Sequence, residues 1–197
     1  PRSVTWYKSA EDKPDSHAAQ TQIAKNYEYG LTFRQDVNQS IKWYHRAAEG
    51  GYPPAQAGLG DIFSTGALVP PNYAEAVHWY AEAANAGYPY GQYNLGLALL
   101  AGHGTDSDPH QAAHWFARAA HLGYRPAQYE LGLLYFEGLG VKRNDVKAYG
   151  WWSICLEDNN DITPAILSRL VDRMEPDYRE RAVQLAERYR QRYSTAN

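Results

Sequence analysis

Apolar and small residues fall along this chain at helical spacing, and the whole arrangement recurs every 36 residues. Trp43-Tyr44, Trp79-Tyr80, Trp115-Phe116 and Trp151-Trp152 keep that interval, and so do Gln20, Gln56, Gln92 and Gln128. Gly30, Gly66, Gly102 and Gly138 keep it too. Each period predicts two helices. The first reads Ala-x-x-x-Leu-Gly at Ala55–Gly60 and Ala127–Gly132; Gly91 takes the alanine place before Gly96, and Ile23-Ala24 replaces Leu-Gly after Ala19. Ala127, Leu131 and Tyr135 mark one face of such a helix. Glycine inside a helix costs about 1 kcal/mol relative to alanine. The recurrence of Gly60, Gly96 and Gly132 therefore predicts a neighbour packed close enough to need them. Gly30 and its equivalents predict a left-handed helix end.

The second helix has a repeated start. Asp36, Asn72, Asp108 and Asn144 are N-cap types. Gln39, Glu75 and Gln111, three residues on, complete a capping-box pattern that Lys147 breaks. Ala76, Trp79, Tyr80, Ala83 and Ala84 form its apolar stripe, as do Ala112, Trp115, Phe116, Ala119 and Ala120. Gly51, Gly87 and Gly123 are expected to close it, with Pro53, Pro89 and Pro126 stopping it from running on.

Trp6-Tyr7-Lys8-Ser9-Ala10 resembles Trp43 to Ala47, so residues 1–14 read as the tail of a preceding second helix. Four repeats follow, at 15–50, 51–86, 87–122 and 123–158, and residues 159–197 read as capping helices. Thr163-Pro164 begins one cap helix and Pro176-Asp177 another, running to about Tyr193. Tyr178, Ala182, Leu185, Ala186 and Tyr189 form its expected apolar face, opposite Arg and Glu, as a terminal cap requires. The expected fold is all-α, a right-handed α/α superhelical solenoid of helix-turn-helix repeats.

Composition narrows the functions. The chain has 197 residues, 44% hydrophobic and 21% charged, with net charge −3 and a pI near 6.2. Those values predict no nucleic-acid partner. The longest apolar run, Leu95–Ala101, is far below the roughly 18 residues that a membrane helix needs, so no membrane insertion is expected. The one cysteine, Cys155, cannot form an intrachain disulfide and leaves the compartment open. A start at Pro1, without methionine, reads as a processed chain or a piece of a longer one.

The motif Ala-x-x-x-Leu-Gly-x-x-Tyr-x-x-Gly, a loop, then Ala-x-x-Trp-Tyr-x-x-Ala-Ala-x-x-Gly resembles the Sel-like repeat (SLR) family, relatives of the tetratricopeptide repeats. The nearest copy has Leu131-Gly132, Tyr135, Gly138-Leu139-Gly140-Val141 and Asn144-Asp145, and the resemblance covers about residues 15–158. It implies a scaffold for a protein or peptide partner, often in bacterial signalling, envelope assembly or host interaction. Periplasmic or secreted localisation is expected on the same ground. Disulfide-rich members of the family have been linked to β-lactam hydrolysis, but their paired cysteines are absent here.

The resemblance also implies that first helices line a concave face. Their varying positions then form ladders: Thr21, Ala57, Tyr93, Tyr129; Lys25, Asp61, Leu97, Leu133; and Glu28, Ser64, Leu100, Phe136. The expected partner-binding residues are Lys25, Asp61, Tyr93, Leu97, Tyr129 and Leu133, with the two tyrosines as anchors; the same rings would alternatively pack between repeats. His110 and His114 share a helical face as in His-Glu-x-x-His zinc sites, but Gln111 stands where the base belongs. His114 also aligns with Lys42 and His78, which reads as a solvated face. Cys155 aligns with Ala47, Ala83 and Ala119, and reads as a small buried residue. The tryptophans read as core. No catalytic, cofactor or metal residue is assigned. The alternatives are a hydrolase, metal-dependent or β-lactam-directed, with its site in the concave groove, and a structural part of an envelope or motor assembly.

Overall fold

The computed structural model describes residues 16–155 and 162–193, and these form helices and turns with no strand among them. The helices are α1 His17–Tyr29, α2 Val37–Glu49, α3 Pro53–Thr65, α4 Tyr73–Asn85 and α5 Pro89–Ala101. They continue with α6 Pro109–His121, α7 Arg125–Glu137, α8 Asp145–Cys155, α9 Ile162–Asp172 and α10 Pro176–Tyr193. From α1 to α8 they alternate as the first and second helices of successive repeats, giving an all-α solenoid of helix-turn-helix units. The segment around Trp6 lies outside the described residues. Two compact units divide the chain: one takes in the described residues to Gly91 with His103–Asp106, the other Gln92–Gly102 and the described residues from Ser107 on.

Within a repeat the two helices are welded at the turn. Asp36, Asn72, Asp108 and Asn144 accept the backbone N–H of Gln39, Glu75, Gln111 and Lys147, at 3.1, 3.2, 2.9 and 2.9 Å. Their own N–H groups donate back to first-helix carbonyls: Asp36 to Tyr27, Asn72 to Phe63, Asp108 to Leu99 and Asn144 to Tyr135, at 3.0, 2.8, 2.8 and 2.8 Å. The reciprocal half of the expected capping box is therefore not made, because the donor it would use is already taken. Glu75 instead accepts the Trp79 indole N–H at 2.9 Å, and Gln111 turns its amide onto Asp108 at 2.8 Å. With no reciprocal bond to supply, the third position tolerates Lys147.

The turn between repeats differs from the expectation in one respect. Gly51, Gly87 and Gly123 do take positive φ just past the second helices. The prolines do not follow as helix stops, however. Pro53 and Pro89 are the first residues of α3 and α5, and Pro126 lies in the first turn of α7. A missing N–H there costs no helical hydrogen bond. The recurring glutamines join one repeat to the previous one: Gln56 Nε2 donates to the Ala48 carbonyl at 3.3 Å, and Gln128 Nε2 to Ala120 at 3.1 Å. Both carbonyls lie near the end of a second helix, where intrahelical donors run out.

The expected close approach occurs at the helical glycines. A Cβ on Gly60 would lie 2.4 Å from the Tyr80 ring; on Gly96, 2.7 Å from Phe116; on Gly132, 2.5 Å from Trp152. Trp43, Trp79, Trp151 and Trp152 are buried as expected. Trp115 is not. It is half-buried, and the Arg118 guanidinium covers its ring 4.7 Å from the centroid.

At the C-terminal end α10 packs on α8. Ala182 and Ala186 are buried, Leu185 lies against Gly150, and the Tyr189 and Tyr193 rings sit 4.5 and 5.4 Å from Trp151. Tyr178 departs from the expected apolar face: in the first turn of α10 it is 52% exposed, with Arg181 over its ring.

Two measurements check this packing. Gly60→Ala should destabilise by about 1–2 kcal/mol in urea unfolding, because overpacking against Tyr80 outweighs the roughly 1 kcal/mol gain in helix propensity. A stabilised variant would show that the ring yields. Trp79→Ala should cost about 3–5 kcal/mol, and Trp115→Ala distinctly less; equal losses would contradict the half-buried placement of Trp115.

Candidate binding site

In the first unit the varying first-helix positions carry polar groups, and tyrosines of the second helices and of α5 reach them. The Tyr44 hydroxyl donates to Glu28 Oε2 at 2.8 Å. Tyr80 and Tyr90 both donate to Asp61 Oδ1, at 2.8 and 2.9 Å, and Ser64 Oγ lies 3.1 Å from the Tyr80 hydroxyl. Asp61 is thus half-buried and held from within, while Lys25 is exposed. Thr21 and Ala57, one ladder over, are buried. Burial pushes the Asp61 carboxyl above its ordinary value near 3.8; the two tyrosine hydroxyls and Lys25 pull it back, and Glu28 adds to the rise. Burial likewise raises the Tyr44 and Tyr80 hydroxyls, with the adjacent carboxylates adding to it.

In the second unit the equivalent positions are apolar. Tyr93 is half-buried, its ring 5.9 Å from Phe116 and 5.4 Å from Tyr124, so much of it packs within the unit. Leu97 is half-buried. Tyr129 is 39% exposed and Leu133 is half-buried. These last two are brought together with Phe136 and Trp152 by α9, which lies across them. Leu167, Leu170 and Met174 of the cap are buried in one cluster with Trp152. The result is a groove of about 280 Å³ lined by Tyr129, Leu133, Phe136, Trp152, Arg169, Leu170 and Arg173. Trp152 Nε1 donates to the Tyr129 carbonyl at 3.0 Å, which fixes the indole and spends its one donor. Beyond Arg173 a second hollow of about 410 Å³ continues past Arg143, Val146, Met174 and Tyr178.

The remaining candidates stay apart from these features. His110 and His114 are exposed on α6, and among the described residues no group of His, Cys, Asp and Glu is placed to hold a metal. No helix among the described residues is long and apolar enough to cross a membrane. Cys155 is half-buried, more open than the fully buried Ala47, Ala83 and Ala119, because it ends α8. Burial nonetheless pushes its thiol up to about 12, so it carries no thiolate at neutral pH.

Sequence reasoning missed the tyrosine hydroxyls and the two cap arginines. The first had a signal: a buried tyrosine needs a partner for its O–H, and the polar ladder position stands sixteen residues before each one, Glu28 before Tyr44 and Ser64 before Tyr80. The arginines had none, since the cap lies outside the period.

The Asp61 site gives a pH dependence. A carboxyl whose folded pKa is raised holds its proton more firmly in the folded chain, so stability falls as pH rises from the ordinary carboxylate value through the raised one. Asp61→Asn keeps an oxygen for both tyrosines and has no proton to lose. In urea titrations from about pH 3 to pH 7 the wild type should lose stability relative to that variant; a difference that does not change with pH would count against the raised value.

The Sel1 repeat family matches residues 17–52, 53–88, 89–124 and 125–154, well over half the chain. No match is found among curated proteins. A Sel1 repeat protein from Oxalobacter formigenes is similar in structure, with 27% identity and TM-score 0.74 over 90% of this chain and 72% of that one. So is a protective antigen of uropathogenic Escherichia coli displaying an SLR fold, with 26% identity and TM-score 0.61 over 96% of this chain. The chain spans about half of that antigen, 48% of its length. Four consecutive matches in the register of the observed helix pairs settle the kinship: this chain belongs to the Sel1 repeat family.

Proposed function

We propose that this chain is a scaffold that binds a protein or peptide through the varying side chains of its first helices, with the groove beside α7 as its principal contact. Protein–protein interaction is the role typical of Sel1 and tetratricopeptide-like solenoids. The observation that carries the finer reading is the convergence of Tyr129, Leu133 and Phe136 with the cap residues of α9 on one partly open apolar groove. An exposed large ring beside fixed apolar walls is what an interface anchor needs. At about 280 Å³ the groove suits one or two side chains of a partner better than a cofactor. In the first unit, Lys25 and the outer part of Asp61 offer polar contacts of lesser depth. We place the protein outside the cytoplasm of a bacterium, as one similar structure is that of a protective antigen.

The test is partner capture with purified chain as bait. Tyr129→Ala and Leu133→Ala together should weaken capture at least about tenfold while helicity stays near wild type, with a lowered unfolding midpoint because Leu133 packs on the cap cluster. Tyr93→Ala should cost more stability, since that ring packs on Phe116 and Tyr124. Undiminished capture by the Tyr129/Leu133 variant would remove the groove from the interface.

A further inference from the structure

The chemistry of the groove defines the kind of segment that fits it. We propose that it takes a stretch of a protein partner in which one apolar side chain is flanked by acidic ones, the apolar group seated on Tyr129, Leu133, Phe136 and Leu170 and the carboxylates on Arg169 and Arg173. This rests on the scaffold reading and narrows it to a partner class.

Three observations support it. First, the floor offers no hydrogen bond from its largest ring, because the Trp152 indole N–H is already given to the Tyr129 carbonyl. A group seated against that ring, Leu133, Phe136 and Leu170 finds no hydrogen-bonding side chain there, so an apolar group fits it best. Second, Arg169 on α9 and Arg173 in the turn just past it are both exposed and both line the groove. Third, the other arginines of this unit are engaged. Arg143 pairs with Asp145 at 3.0 Å, Arg179 donates to the Met174 and Asp172 carbonyls, and Arg118 covers Trp115. The Arg169 and Arg173 guanidinium groups make no ion pair with a described residue. Neither Asp172 and Glu175, the carboxylates that flank Arg173 in sequence, nor Glu130 and Glu137 of α7 line the groove; Glu175 lines the adjoining hollow. An arriving carboxylate thus meets two guanidinium groups that hold no ion pair with a described residue, and their planar donors match it in paired hydrogen bonds. An extended segment puts residues two apart on the same side, so acids two positions from the apolar residue reach the arginines while that residue fills the floor.

The experiment uses the full chain, isotope-labelled, titrated by NMR with an acetylated and amidated peptide Gly-Glu-Ser-Phe-Ser-Glu-Gly. Shifts should concentrate on the Trp152 indole N–H and on backbone amides of α9. Replacing both Glu by Gln, or Phe by Ala, should weaken binding at least about tenfold, and replacing both Glu by Lys should abolish it. In Arg169→Glu/Arg173→Glu, with an unchanged unfolding midpoint, the preference should invert toward the Lys peptide. Equal binding of the Glu and Gln peptides overturns the proposal, as does Glu-peptide binding that survives the charge reversal. A peptide ending in Ser-Phe with a free carboxylate that binds where the Glu peptide does not would also overturn it, in favour of chain-end capture. Continued capture of partners that depends on Tyr129 and Leu133, with none of these peptides bound, would overturn the acidic partner and leave the scaffold standing.

Discussion

An aromatic ring seated on a glycine of the first helix is the contact on which each repeat depends. Tyr80 on Gly60, Phe116 on Gly96 and Trp152 on Gly132 occupy the volume that a Cβ would take. The helix gives up propensity at that glycine and recovers more in ring contact. The hydrogen bond from each N-cap N–H to a first-helix carbonyl holds the same two helices at the turn that joins them. Because both contacts join residues at fixed separations, an insertion within the pair would break one of them. That is the physical reason for a period that never drifts. The first repeat varies the theme. Ala24 stands in the glycine place, and the Tyr44 ring lies instead where a Cβ on Gly58, in the next first helix, would be 2.5 Å away.

The ring also decides what the neighbouring surface is made of. Sixteen residues before each ring stands a first-helix position, and the two match in polarity: Glu28 with Tyr44, Ser64 with Tyr80, Phe136 with Trp152. A hydroxyl on the ring requires an acceptor, and a ring without one is content with an apolar neighbour. The first unit therefore presents a hydrogen-bonded, acidic set of positions, and the second an apolar one. Identical architecture carries two chemistries because the ring bears a hydroxyl in the first unit and none in the second.

This pairing explains what could be read from the chain in advance. The helices, their caps, the left-handed glycines and the buried tryptophans follow from a pattern repeated four times. Positions that repeat are under the same packing demand, and Gln56 and Gln128 show that even a polar one can be architectural. The errors fell where the period ends or where one residue has several uses. Prolines that looked like stops open the next helix, since the same ring suits both places in an extended connection. The capping box failed at its second half because a donor nine residues removed from its acceptor takes precedence over a local side chain. Trp115 looks like Trp79 in sequence, but is covered by an arginine. Of the candidate contact residues, sequence placed Asp61 on a first-helix ladder without showing the two hydroxyls that hold it.

A repeat array also constrains where a specific site can form. Each first-helix face, taken alone, is a shallow surface whose side chains have water on one side. Enclosure needs an element that does not obey the period. Here α9 and the turn after it are that element: Leu167, Leu170 and Met174 anchor them beside Trp152, and the exposed Arg169 and Arg173 become the wall of a groove whose floor belongs to the last repeat. Capping the core and building the groove are thus one act of packing. The apolar ladder of Tyr129, Leu133 and Phe136 would be a liability on an open surface; under the cap it is half covered and has two guanidinium groups at its rim. The terminal helices shield the last repeat from water, and in doing so they supply the part of this unit's groove that lies outside the 36-residue repeats.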